Sequence, residues 1–240
     1  MDKEYTHQDI EIKSLGALFN MGVGAPDYQI YRGVAKSSYE LVPKLGRNIG
    51  EAKNLQAVYD FEKDSFERFT RESQPYLTYT PQSHLEWMIL GQHYGLHTRL
   101  LDWTSNILVA LYFACMEHPE ESGAVYNFTH GTAYSLLDYT VDPFELATFK
   151  VVYPHHLDKR IVTQKGLFTI HPIPTKEPPW SCTKFIIGPK LKAEIKVKLF
   201  RMGITRSFIF QDLESLASDV MHASAACKLG AKQHQPGPSW

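Results

Sequence analysis

The chain has 240 residues, 43% hydrophobic and 21% charged, with a formal net charge of −1. That composition suits a globular protein whose core needs no disulfide or metal staple, and it excludes a global electrostatic attraction to nucleic acid. The longest apolar run, residues 107–116, is too short to span a bilayer. Cys115, Cys182 and Cys227 are odd in number and widely spaced, so they read as reduced thiols. The opening MDKEYTHQDIEIK is charged and has no apolar leader core. These features predict a soluble, cytoplasmic protein with no membrane partner.

In chain order, residues 8–21 predict a short helix through Ile12, Leu15, Leu18 and Phe19, broken at Gly22 and Gly24. Residues 28–33, YQIYRG, read as a strand with Arg32 at its end. A long helix is expected over about 49–72, with Leu55, Tyr59, Phe66 and Phe69 on its apolar face. Leu85, Met88, Ile89 and Gln92 fall on one face of the next helix, and Gly95 is placed to stop it. Thr104 or Ser105 would cap the helix that follows, residues 106–116, which is apolar almost all round and so belongs in a core. Strands are expected at 123–128, 150–153, 166–170, 184–187 and 208–210, with a helix start at 142–145. Leu191, Ile195, Leu199 and Met202 mark a helix stopped by Gly203, and Asp212 caps a last one through Leu213, Leu216 and Val220. The prediction is one α+β domain over residues 1–224, a mixed or antiparallel sheet surrounding a buried central helix, then a disordered tail over 225–240.

The chemistry concentrates in residues 92–104, QHYGLHTRLLDWT. Arg32 and Arg99 each lie beside a glycine or an apolar run, where a guanidinium offers planar bidentate donors to phosphate or carboxylate. A buried Arg99–Asp102 ion pair pinning the turn is the structural alternative, and Asp102 is expected to be buried. His93 and His97 have Gly95 between them and do not form a zinc-binding helix, so no metal is expected. Nucleophile-elbow, Walker and G-x-G-x-x-G motifs do not occur. A glycine after Arg32 leaves room for a ligand, a helix entered through Thr104 would present free N–H groups to an anion, and Tyr94 and Trp103 would supply a flat wall. Arg32, His93, Tyr94, Arg99, Asp102, Trp103 and Thr104 are therefore expected to converge on one cleft. Its ligand would be a phosphorylated molecule with a planar base, NAD first and a nucleotide or RNA end next. A nuclease or RNA-binding module, with His93 and His97 as acid and base and Arg32 and Arg99 on the phosphate, is the competing reading. A non-catalytic interaction or sensing domain is the third.

Tyr31-Arg32-Gly33, Leu41-Val42-Pro43, the whole of residues 92–104, and the later stretches 160–169 and 209–213 resemble the FRG domain, in family order over roughly residues 10–220. His97 stands where that family often has Pro. The family is named for its Phe/Tyr-Arg-Gly motif, not for an activity. The Tyr-Arg-Gly strand also looks like the first NAD-binding strand of arginine-type ADP-ribosyltransferases. Asp102-Trp103-Thr104-Ser105-Asn106 and the helix after it look like their second strand and helix. That resemblance implies an ADP-ribosyltransferase-like architecture in which Arg32 and Gly33 hold the pyrophosphate of NAD. Tyr94 or Trp103 would stack on the nicotinamide or the substrate, while His93, Asp102 and Thr104 shape the pocket. It also implies a catalytic Glu on a later strand. Gln164 is the nearest positional analogue, and a Gln cannot act as the anion. Glu194 and Glu214 read as solvated helix residues.

Overall fold

The computed structural model describes residues 7–22, 28–48, 54–131, 135–136, 138–155 and 159–230. The strands are β1 (Gln8–Ile12), β2 (Gln29–Val34), β3 (Leu100–Thr104), β4 (Gly123–Thr129), β5 (Ser135–Leu136), β6 (Lys150–Val152), β7 (Gly166–Ile170) and β8 (Thr183–Ile187). The helices are α1 (Leu15–Gly22), α2 (Lys44–Asn48), α3 (Leu55–Glu72), α4 (His84–His93), α5 (Ile107–Cys115), α6 (Lys159–Gln164), α7 (Pro189–Arg201), α8 (Arg206–Phe210) and α9 (Leu213–Gly230). The fold is α+β, with one mixed sheet in the order β1-β8-β4-β2-β3-β7-β6-β5.

The sheet has a seam in the middle. Strand β2 pairs with β4 along its whole length, and β3 does the same with β7. Between β2 and β3 the ladder is a single residue pair, Tyr31 with Thr104. Alternation along the strands sends side chains to two faces. On one face Ile30, Leu101, Trp103, Tyr126 and Phe128 form a core that runs across the seam. On the other face the helices split. Val109, Leu111 and Tyr112 of α5 pack with Ile195 and Leu199 of α7 over the β2 half. Leu85, Met88 and Ile89 of α4 pack with Phe66 of α3 over the β3 half.

Two buried polar clamps fix these layers. Arg99 donates from Nε and Nη2 to Glu62 at 2.9 and 2.6 Å, its own backbone N–H adds a 2.9 Å bond, and Tyr59 and Phe144 flank the guanidinium. Lys192, 1% exposed, donates to the carbonyls of Ala35, Glu117, His118 and Glu121 at 2.8–3.1 Å. Both satisfy the rule that a buried charge must be paired or fully hydrogen-bonded.

Several expectations are corrected. The sheet does not surround α5: one side of the helix lies on β2 and β4 and the other is covered by α7 and α8. Residues 8–12 form β1, added parallel to β8, and the helix starts only at Leu15. Asn106, not Thr104 or Ser105, caps α5, its Oδ1 accepting from Leu108 N–H at 3.0 Å. Residues 142–145 form a turn held by the Phe144 N–H to Asp142 bond of 2.9 Å. Residues 208–210 are helical in α8, because Thr205 and Asp219 accept from the free N–H groups of its first turn. An apolar triplet is too short for periodicity to separate strand from helix. The last helix runs on to Gly230, past the expected start of the tail, and residues 231–240 lie outside the described residues, as do 49–53 of the expected long helix. The Gly95 stop is present, with φ +97° and the Leu96 N–H returning to the Gly91 carbonyl.

Candidate functional site

A cleft of about 340 Å³ opens on the helical face at the seam. Its floor is β2, β3 and β7, and its walls are the end of α4, the outer side of α5, α6 and α8. Strand pairing sets the floor, and a set of side-chain bonds sets the far wall. Arg160 donates from Nε to the Phe210 carbonyl at 2.6 Å and from Nη2 to Asp212 at 3.0 Å. Gln164 Nε2 donates to the Ile209 carbonyl at 3.1 Å. Gln211, with φ +54°, then turns the chain away from α8. The result places the ring of Phe210 edge-on to Phe113 of α5 at 6.3 Å, both lining the cleft.

Arg32 reaches across the seam. Its Nη1 donates to the Asp102 main-chain carbonyl at 2.6 Å and lies 3.7 Å from Asp102 Oδ2. Burial draws the guanidinium below its ordinary value; Asp102 opposes that shift and Arg47 adds to it. Its Nε–H is buried without a hydrogen-bond partner. Asp102 is not buried: its side chain is 62% exposed. It does not pair with Arg99 either. The Arg99 guanidinium is taken up by Glu62 of α3. Gln92 Nε2 instead donates to Asp102 Oδ1 at 2.8 Å. The orientation of that amide is fixed, since Gln92 Oε1 accepts from the Thr98 hydroxyl, which in turn accepts from the Leu100 N–H.

Of the residues expected at the site, Arg32, Gly33, His93, Asp102, Trp103, Thr104 and Gln164 line the cleft. Arg99 and Tyr94 are not brought there. Arg99 is locked on Glu62 inside the protein, and Tyr94 is 68% exposed, its ring edge-on to His93. His97 does not line it either. Burial, with Lys44 and Arg47 nearby, draws the His97 imidazole below its ordinary value.

Three of the residues that do line it have structural reasons to be there. A Cβ on Gly33 would sit 1.8 Å from the Ala110 carbonyl oxygen, so the glycine admits α5 onto the strand, not a ligand onto the backbone. Thr104 Oγ1 donates to the Gln164 carbonyl at 2.5 Å and accepts from Asn106 N–H at 2.9 Å. The first N–H groups of α5 are also engaged, Leu108 by the Asn106 side chain and Val109 by the Asn106 carbonyl, which removes the expected anion site. Trp103 belongs to the floor, but its indole is 3% exposed and donates to Thr169 at 3.0 Å. Thr169 therefore donates onward to His171 Nε2, and His171 Nδ1–H is left to donate to the Lys176 carbonyl. Burial pushes the His171 imidazole down to about 3, so the ring is neutral.

The residues not foreseen are Gln92, Phe113, Arg160 and Phe210. Gln92 headed the polar stretch and lay on the helical repeat of α4, which marked it as core-facing. Arg160 and Phe210 lay within the late stretches that resemble the family. Only the fold brings them opposite Arg32.

No curated protein and no solved structure matches the chain. The family model that matches spans β2, α4, β3 and α5, and so holds Arg32, Gln92 and Asp102, while Arg160, Gln164 and Phe210 come from outside it. Residues 27–123 match the family model of the FRG domain.

Proposed function

We propose that the cleft binds a phosphorylated nucleotide with a planar ring, NAD before others. The observation that carries this is the facing pair of features across about 340 Å³: Arg32 at the seam and the Phe113–Phe210 wall opposite. A guanidinium held at one nitrogen by a carbonyl keeps further N–H donors in a fixed plane for an oxyanion. Aromatic rings at a cleft wall take a flat heterocycle by stacking or edge contact. The space is within the range of small-molecule sites.

Transfer of ADP-ribose is the finer reading, and it rests on the likeness of the Tyr31-Arg32-Gly33 and Asp102–Asn106 stretches to ADP-ribosyltransferases. Gln164 does not supply an anion, and its amide is bonded to the Ile209 carbonyl. The nuclease reading has little support from the geometry, since His97 and Arg99 are both away from the cleft. Calorimetry with NAD and with a short RNA, on wild type and on Arg32→Ala, tests the proposal. Binding of NAD that is lost or weakened at least ten-fold in Arg32→Ala is expected. RNA binding alone, or full NAD affinity in a folded Arg32→Ala protein, overturns it.

A further inference from the structure

We propose that Asp102 is the specificity residue of this cleft and selects a ligand whose ring is cationic: the oxidised pyridinium form of NAD over the neutral dihydropyridine of the reduced form. The inference rests on the nucleotide reading above and adds which end of the ligand lies where.

Among the described residues that line the cleft, Asp102 is the one carboxylate. It stands on the floor, with its side chain 62% exposed, while Arg32 behind it is 14% exposed. Its orientation is fixed by its neighbours in the floor and wall. Gln92 holds Oδ1 at 2.8 Å and is itself turned by Thr98, while Arg32 holds the main-chain carbonyl at 2.6 Å. The Arg32 contact to Oδ2 is longer, 3.7 Å, so that oxygen keeps capacity to face a ligand.

A carboxylate so placed sorts the parts of a dinucleotide by charge. The pyrophosphate is repelled from it and drawn to guanidinium, the adenine is neutral, and the oxidised pyridinium carries the only positive charge. The ring adjoins the pyrophosphate through one ribose. A pyridinium at Asp102 with the phosphates on the Arg32 side therefore satisfies both charges in one pose. Two opposite charges about 4 Å apart at a partly wet surface attract strongly enough to shift affinity by roughly ten-fold or more. Reduction removes the charge and leaves shape and size nearly unchanged, so the comparison isolates this contact.

Calorimetry of the full chain with NAD+ and with NADH gives the test. Wild type should bind NAD+ about ten-fold or more tighter than NADH, with the ratio falling as salt is raised. Asp102→Asn should bring the two affinities together by weakening NAD+ alone, and Asp102→Glu should restore part of the ratio. Binding of neither form refutes the nucleotide reading and this inference with it. Equal binding of both forms by wild type, or an unchanged ratio in a folded Asp102→Asn protein, refutes this inference and leaves the nucleotide reading standing. The wild-type ratio needs no variant, so it decides the matter even if Asp102→Asn fails to fold.

Discussion

Arg32 Nη1 lies 2.6 Å from the main-chain carbonyl oxygen of Asp102, a residue 70 positions later, and ties β2 to β3 beyond their single ladder pair. The side chain thus takes on work that backbone N–H groups do elsewhere in the sheet. Arg32→Ala leaves that carbonyl without its donor and should destabilise the protein by about 1–3 kcal/mol. Thermal melting, read as a fall of a few degrees, checks this. Arg32→Lys should recover less than half of the loss, because an ammonium does not reproduce the planar fork.

The Glu62–Arg99 clamp gives a larger effect. Both side chains are nearly inaccessible, at 2% and 4%. Glu62→Ala leaves a buried guanidinium uncompensated and should cost about 3–5 kcal/mol in chemical denaturation. The double variant Glu62→Leu with Arg99→Met should be clearly more stable than Glu62→Ala. If the double variant is no better, the charge is not what the single variant orphaned.

Asp102 should behave in the opposite way. Its exposure predicts that Asp102→Asn changes stability by less than about 1 kcal/mol. A loss as large as that of Glu62→Ala, measured under the same conditions, would contradict the placement.

His171 predicts a pH dependence. Its folded pKa is about 3, below the ordinary 6.5, so between those values the unfolded chain binds a proton that the folded protein does not. Stability is therefore full above about 6.5 and falls as pH drops toward 3, with a slope approaching 1.4 kcal/mol per pH unit. Glu86, Glu177 and Asp212 are also held low, but their contribution is lost only as pH falls through the carboxylate range. Denaturation midpoints between pH 4.5 and 6.5 should flatten in His171→Gln. His130, which burial also draws down, accounts for part of any slope that remains.

Much of this fold could be read from the sequence, and the errors have a common cause. Runs of β-branched and aromatic residues located β2, β4, β7 and β8, and the i, i+3, i+4 repeats with their glycine stops located α4 and α7. Those signals are local. Arg99 and Asp102 look like partners three residues apart. Their true partners are Glu62, 37 positions away, and Gln92 with Arg32, which only tertiary packing supplies. Trp103 was legible as an aromatic near the site, yet its strand parity turns the indole into the core. The aromatic wall comes instead from Phe113 and Phe210, nearly a hundred residues apart. For Gly33 the position was right and the reason was not: the space it makes is filled by the Ala110 carbonyl.

The single-pair seam also sets how small a working piece of this protein can be. The matched span, residues 27–123, contains only two strands of the sheet, β2 and β3, joined by Tyr31 and Thr104. Cut out at those limits, both strands would show long unpaired edges, since β4 and β7 normally cover them, and open edges of that kind invite aggregation. The fragment would also lack α6, β7 and α8, and hence the far wall of the cleft. A truncation series should therefore give insoluble or unfolded protein until the chain extends past α8. The smallest fragment that melts cooperatively should also be the smallest that has a binding site.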